Sequence, residues 1–172
     1  MRKARDGASK RTRVVACMLA CALAGCADVA TIAPGTPSDQ VASSAGKPNR
    51  IWPEANGAAS WEYTQQPSGR AAYMVRIGAD GRVTRVDQVL DWPFFNQLTP
   101  GMKANEIEHV LGRPYSVTYM PVIDRNVMAW RWVETVWKRC FFAYLSRDGT
   151  LINIGVQDEE VSDHGPLTAA PC

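Results

Sequence analysis

Thr99-Pro100-Gly101-Met102-Lys103-Ala104-Asn105-Glu106-Ile107, followed three residues later by Leu111-Gly112-Arg113-Pro114, decides the fold because the chain contains it twice. Ala33-Pro34-Gly35-Thr36-Pro37-Ser38-Asp39-Gln40-Val41, running on to Ala45-Gly46-Lys47-Pro48, aligns with it without gaps at an offset of 66. After each copy comes a variable stretch, a tryptophan-bearing strand, a second strand, an Asp-Gly turn and a third strand. Trp61-Glu62-Tyr63 answers Trp130-Arg131-Trp132, Tyr73 to Ile77 answers Phe141 to Leu145, and Asp80-Gly81 answers Asp148-Gly149. Self-similarity of this kind reports duplication of a supersecondary unit.

The second copy shows what one unit is. Ile107, Val110 and Leu111 stand at i, i+3 and i+4, one apolar stripe of a short helix over Asn105 to Leu111. Gly112 can adopt the positive φ that closes a helix, and Pro114 prevents its resumption. In the first copy Thr36 is placed to cap, Pro37 to take the first helical position, and Val41 and Ala45 make a thinner stripe that ends at Gly46. Asp-Gly between apolar runs signals a hairpin. The pattern predicts Ala71–Ile77 paired with Arg82–Val89, and Arg139–Leu145 paired with Thr150–Gln157. Each unit is expected to be a helical element followed by an antiparallel meander of about three strands, making an α+β protein. Asp91 to Leu98 joins the units, and Phe94, Phe95 and Leu98 suit a short amphipathic helix packing on the second sheet.

The beginning of the chain reads differently. Arg2, Lys3, Arg5, Lys10, Arg11 and Arg13 precede an uncharged run of 11 residues from Val14 to Ala24. A membrane-spanning helix needs roughly 20 residues, so the run is expected to be the core of an export signal. It ends in Leu23-Ala24-Gly25-Cys26, which resembles the lipobox of bacterial lipoproteins. The resemblance implies cleavage between Gly25 and Cys26, a diacylglyceryl and an N-acyl group (palmitate-type chains) on Cys26, and a lipid-anchored protein. By resemblance to enterobacterial lipoproteins, in which an aspartate after the cysteine favours the inner membrane, Ala27 implies the periplasmic face of the outer membrane. The expected division is a signal peptide over 1–25, a first, degenerate unit over 26–90, a second over 91–160, and a flexible tail over 161–172.

Loss of the leader removes six of the 19 basic residues and one of the 17 acidic ones, leaving 13 against 16. The mature chain is acidic, which gives no reason to invoke nucleic acid. Cys140 and Cys172 remain as thiols, and for an exported pair two states are open, a disulfide or one buried and one free cysteine.

Chemistry is sparse. His109 on the helix and His164 in the tail have no metal-ligand spacing around them. Asp158-Glu159-Glu160 with Asp163 reads as a solvated acidic run. Cys140 has no histidine nearby in sequence, and Gly78 to Gly81 is a turn, not a phosphate loop. No enzyme activity, metal, cofactor or small-molecule substrate is expected. The mature chain holds six tryptophans: Trp52, Trp61, Trp92, Trp130, Trp132 and Trp137. Trp130 and Trp132 share a parity and are expected on the sheet face under the helices. Trp52, Trp92 and Trp137, with Phe94 and Phe95, are the candidate protein contacts.

Gly101-Met102-Lys103-Ala104-Asn105-Glu106-Ile107, Leu111-Gly112-Arg113-Pro114, and Phe142-Ala143-Tyr144-Leu145 ahead of Asp148-Gly149 resemble the BamE (SmpA/OmlA) outer-membrane lipoproteins. Lys103 and Pro37 stand where that family has a threonine cap, and its namesake type carries one unit. The tandem arrangement is similar to the β-lactamase inhibitor protein. These resemblances imply a non-catalytic envelope protein with a role in outer-membrane assembly or envelope integrity, with envelope or outer-membrane proteins as partners. The alternative is a tandem module that binds or inhibits a periplasmic enzyme.

Overall fold

The computed structural model of the chain describes residues 28–159 and Cys172. The signal, Gly25, Cys26, His164 and all of the 161–172 tail but Cys172 lie outside the described residues. After a short 3-10 turn at Val29–Thr31, the first unit comprises α1 (Ser38–Ala45), β1 (Arg50–Pro53), β2 (Ala59–Thr64), β3 (Ala72–Ile77) and β4 (Val83–Gln88). The short α2 (Trp92–Phe95) leads into the second unit, α3 (Ala104–Leu111), β5 (Ser116–Met120), β6 (Arg125–Glu134), β7 (Trp137–Leu145) and β8 (Leu151–Asp158). The strands form two antiparallel four-stranded meanders, β1-β2-β3-β4 and β5-β6-β7-β8, and the protein is α+β. Each sheet has one strand more than the three expected, because β1 and β5 lie in the variable stretches. Both are edge strands with mostly exposed side chains, so neither carries the alternation that marks a half-buried strand.

The duplication is written into the backbone. Gly35 N–H donates to Val83 and Gly101 N–H to Leu151; Ser38 N–H donates to Gly81 and Ala104 N–H to Gly149. The carbonyl of each Asp-Gly turn thus receives the first N–H of its unit's helix, one of the donors a helix start leaves unpaired. Thr36 does not cap α1: its hydroxyl donates to Ala33 O, and Pro37 stands at the N-cap instead of inside the helix. At α3 the Glu106 carboxylate accepts the Lys103 backbone N–H at 2.6 Å, half of a capping box. Both helices end on a glycine at positive φ, Gly46 at 82° and Gly112 at 75°.

Strand pairing shifts one detail of the repeat. Tyr63 lies opposite Tyr73, and Trp130 lies opposite Phe141, the counterpart of Tyr73. Tyr63, not Trp61, is therefore the equivalent of Trp130. The same hydrogen bond marks both: Tyr63 Oη donates to Gly46 O at 2.9 Å, and Trp130 Nε1 donates to Gly112 O at 3.0 Å. A slip of two residues preserves parity, so the expected faces stand, and Trp130 and Trp132 are both buried beneath α2 and α3.

The layers stack in the order α1, first sheet, α3, second sheet. Val41 of α1 packs with Tyr63, Val75, Ile77 and Val83 on one face of the first sheet. Ala72 and Met74 on its other face join Ile107 and Leu111 of α3, Phe95 of α2, and Trp130, Trp132 and Phe141 of the second sheet in the largest core cluster. Helix α3 is thereby buried from two sides, and the two sheets remain separate, with α3 between them.

Candidate functional site

Contact between the units is partly polar. Glu62 is 1% exposed; its carboxyl accepts Trp52 Nε1–H at 3.2 Å and the Arg113 backbone N–H at 2.8 Å. Burial of a carboxyl group is tolerable only when such donors meet it. It floors a polar cleft of about 330 Å³ between β1 and β5, walled by Asn49, Arg50, Glu108, Arg113 and Tyr115. Arg50 pairs with Glu108 across the cleft at 2.6 Å. Beside it, His109 stacks on Trp52 with ring centroids 4.9 Å apart, and its Nε2 lies 2.8 Å from Glu54 Oε1. His109 is thus a contact between the units.

Glu54 also accepts the Ser60 hydroxyl at 2.5 Å, and Arg76 Nη1 donates to that hydroxyl at 2.6 Å. Burial is the largest single influence on the Glu54 carboxyl and raises its pKa, but the hydrogen bonds from Ser60 and His109 and the nearby charges of His109 and Arg76 together outweigh it and hold the group below its ordinary range. Serine, histidine and a carboxylate are together, yet both the hydroxyl and the imidazole address the same carboxylate oxygen. Nucleophilic catalysis needs the imidazole on the hydroxyl, where it can take the proton. Ser60, moreover, is fully buried. The group is a structural network, and its members, Glu54, Ser60, Arg76 and His109, carry no spacing that would reveal it in sequence. Among the described residues no cluster of three His, Cys, Asp or Glu side chains could hold a metal, and no helix is long and apolar enough to cross a membrane.

The expected protein-contact residues separate. Phe95 is fully buried, stacked on Phe141 at 4.0 Å and edge-on to Trp132 at 4.9 Å; it is core and cannot meet a partner. Phe94 and Trp52 are partly buried against the same core. Trp92 is partly exposed, its Nε1 donating to Glu134 at 2.6 Å. Trp137, 67% exposed, stands at the β6–β7 turn beside Val136, 75% exposed, with Val133 nearby on β6. Cys140 and Cys172 are joined as a disulfide, on the face of the second sheet that also carries Val127, Ala129 and Phe142.

A second apolar surface runs along β5 and its turn and was not singled out from the sequence. Val117, Tyr119 and Ile123 are exposed there, and Val122 is 97% exposed. Tyr119 Oη and Arg147 Nε each donate to Asp124 Oδ1 at 2.6 Å, forming a charged rim. These hydrogen bonds, Tyr119's first, lower the Asp124 pKa.

No family model matches the chain, that of the BamE lipoproteins included, and no curated protein matches it. Among solved structures it is similar to a protein from Streptococcus mutans described as a candidate β-lactamase inhibitor protein, at 17% identity over 78% of this chain and 90% of that one, with a TM-score of 0.31. It is also similar to a DUF4309 family protein from Bacillus subtilis, at 16% identity over 70% of this chain and 77% of that one, with a TM-score of 0.30.

Proposed function

We propose that this chain is a non-catalytic, BamE-like lipoprotein, exported, cut before Cys26 and held by acyl chains on the periplasmic face of the outer membrane, where it binds another envelope protein. The observation that carries the binding role is the β5 edge. A strand with a neighbour on one side only offers backbone groups to a further strand. Here that edge is continuous with Val117, Tyr119, Val122 and Ile123, an apolar patch of the kind that marks interaction sites. A tyrosine and an arginine rim it, residue types enriched at binding hot spots. The polar network around Glu54 is committed to joining the two units, and among the described residues no reactive constellation competes with binding.

The test is a photocrosslinking side chain at Val122 in intact cells, with Asp39 on the exposed face of α1 as the control position. An adduct with an outer-membrane assembly component, formed from position 122 and not from 39, supports the scaffold role. An adduct with a soluble periplasmic enzyme supports the inhibitory alternative. No adduct, or the same adducts from both positions, contradicts the proposal.

A further inference from the structure

At the β6–β7 turn two apolar side chains stand in solvent, Val136 at 75% and Trp137 at 67% exposure. Glu134 and Trp137 pair across it, leaving Thr135 and Val136 as the two turn residues. Thr135 sits at a φ of 58°, a conformation in which a β-branched residue is strained and which two-residue turns ordinarily give to glycine. This turn displays Val136 and Trp137 to solvent, flanked by Trp92, Val133 and Lys138. Of the carboxylates beside it, Glu134 and Asp158 are held by Arg139, and Glu159 by Arg70 and Arg131.

The turn lies at the same end as the start of the described chain. Asp28 shares a groove with Thr64, Gln65 and Tyr73. The next residue, Gln66, donates from Nε2 to Arg131 O at 2.6 Å, and Arg70 at the end of that loop holds Glu159, whose N–H donates to Lys138 O. From Arg131 the strand continues four residues to Thr135, about 13 Å at some 3.3 Å per residue. Cys26 precedes Asp28 by two residues, a reach of at most about 7 Å.

We infer that the β6–β7 turn is a second membrane contact, in which Val136 and Trp137 enter the interfacial layer of the bilayer that holds Cys26. This rests on the proposed acylation of Cys26. A bilayer that holds Cys26 lies at the end of the molecule where this turn is exposed. Tryptophan, with an apolar ring and one polar N–H, suits the headgroup boundary. Lys138 extends its amine toward lipid phosphates while its methylenes follow the apolar turn. Two points of attachment fix the orientation of the protein on the membrane and turn the β5–β6 apolar patch, at the opposite end of β6, away from it.

The experiment uses the acylated chain, extracted from membranes and reconstituted into phosphatidylethanolamine–phosphatidylglycerol vesicles with or without brominated acyl chains, which quench tryptophan on contact. Intact mass first establishes whether Cys26 carries lipid. With lipid present, brominated vesicles are expected to reduce tryptophan emission, and the reduction should be largely lost in Trp137→Phe and weakened in Val136→Asp. An acylated, vesicle-bound chain with no quenching, or with quenching unchanged in Trp137→Phe, overturns this inference alone. A chain without lipid on Cys26 overturns the anchor and the inference together.

Discussion

Tyr63 and Trp130 do the same work in the two units, each donating from the polar end of a buried ring to the carbonyl of a helix-ending glycine. Tyr63→Phe removes that donor and nothing else, so urea unfolding should show a loss of about 1 kcal/mol. Glu62 is less forgiving. Glu62→Gln presents an amide N–H₂ toward either Trp52 Nε1–H or the Arg113 N–H, leaving one buried donor unmet, and should cost about 1–3 kcal/mol in the same measurement. At this scale the sequence was legible where a side chain obeys its element. Trp130 and Trp132 share a parity and share a core. Phe95 was ambiguous because a four-residue helix has no complete stripe to say which aromatic turns inward. Glu62, His109 and Glu54 were not legible as partners, since they lie far apart in sequence and meet only when α3 closes on the first sheet.

At the scale of elements, the repeat carried most of the information. The two helices, both Asp-Gly hairpins and the glycine stops could be read from it because each depends on local chemistry that duplication preserved. The edge strands β1 and β5 could not. Pro53 is acceptable in β1 only because an edge strand tolerates a missing donor, and neither strand buries an alternating face. The glycine stops are open to a paired test. Both combine a positive φ with a ψ near 180°, a region essentially reserved for glycine, where a residue with a Cβ costs on the order of 1–3 kcal/mol. A Cβ at Gly46 would meet no atom within 4 Å, whereas one at Gly112 would lie 3.3 Å from Glu62 Oε1. Gly112→Ala should therefore lower the melting temperature more than Gly46→Ala, and equal effects would show that Glu62 yields freely.

For the whole molecule, the stacking of one unit on the next was hidden, because Ser60, Glu62 and Arg76 give the inner face of the first sheet the polarity of a solvent-facing one. Its consequence is a single body whose far ends are tied by charge. Glu159 at the end of the second sheet is gripped by Arg70 from the first unit and by Arg131, with its side chain 7% exposed. The hydrogen bond from Arg70, ahead of that from Arg131, pulls its pKa down to about 2 from 4.5. A carboxylate whose folded pKa is depressed stabilises the fold fully above its unfolded pKa and loses that contribution as pH falls. Stability should thus decline between roughly pH 4.5 and 2, by on the order of 2–3 kcal/mol for this group, and Glu159→Gln should flatten that part of the profile in urea titrations. The Cys140–Cys172 disulfide spans 32 residues, for which chain-entropy reasoning gives about 3–4 kcal/mol; Cys172→Ser should lower the urea midpoint accordingly. The proposal that this chain works from a membrane surface stands or falls on the intact mass of the chain extracted from membranes. The expected species is a polypeptide that begins at Cys26, carries a diacylglyceryl and an N-acyl group, and becomes unacylated and soluble in Cys26→Ser. An unmodified Cys26, or a chain that retains its first 25 residues, would contradict it.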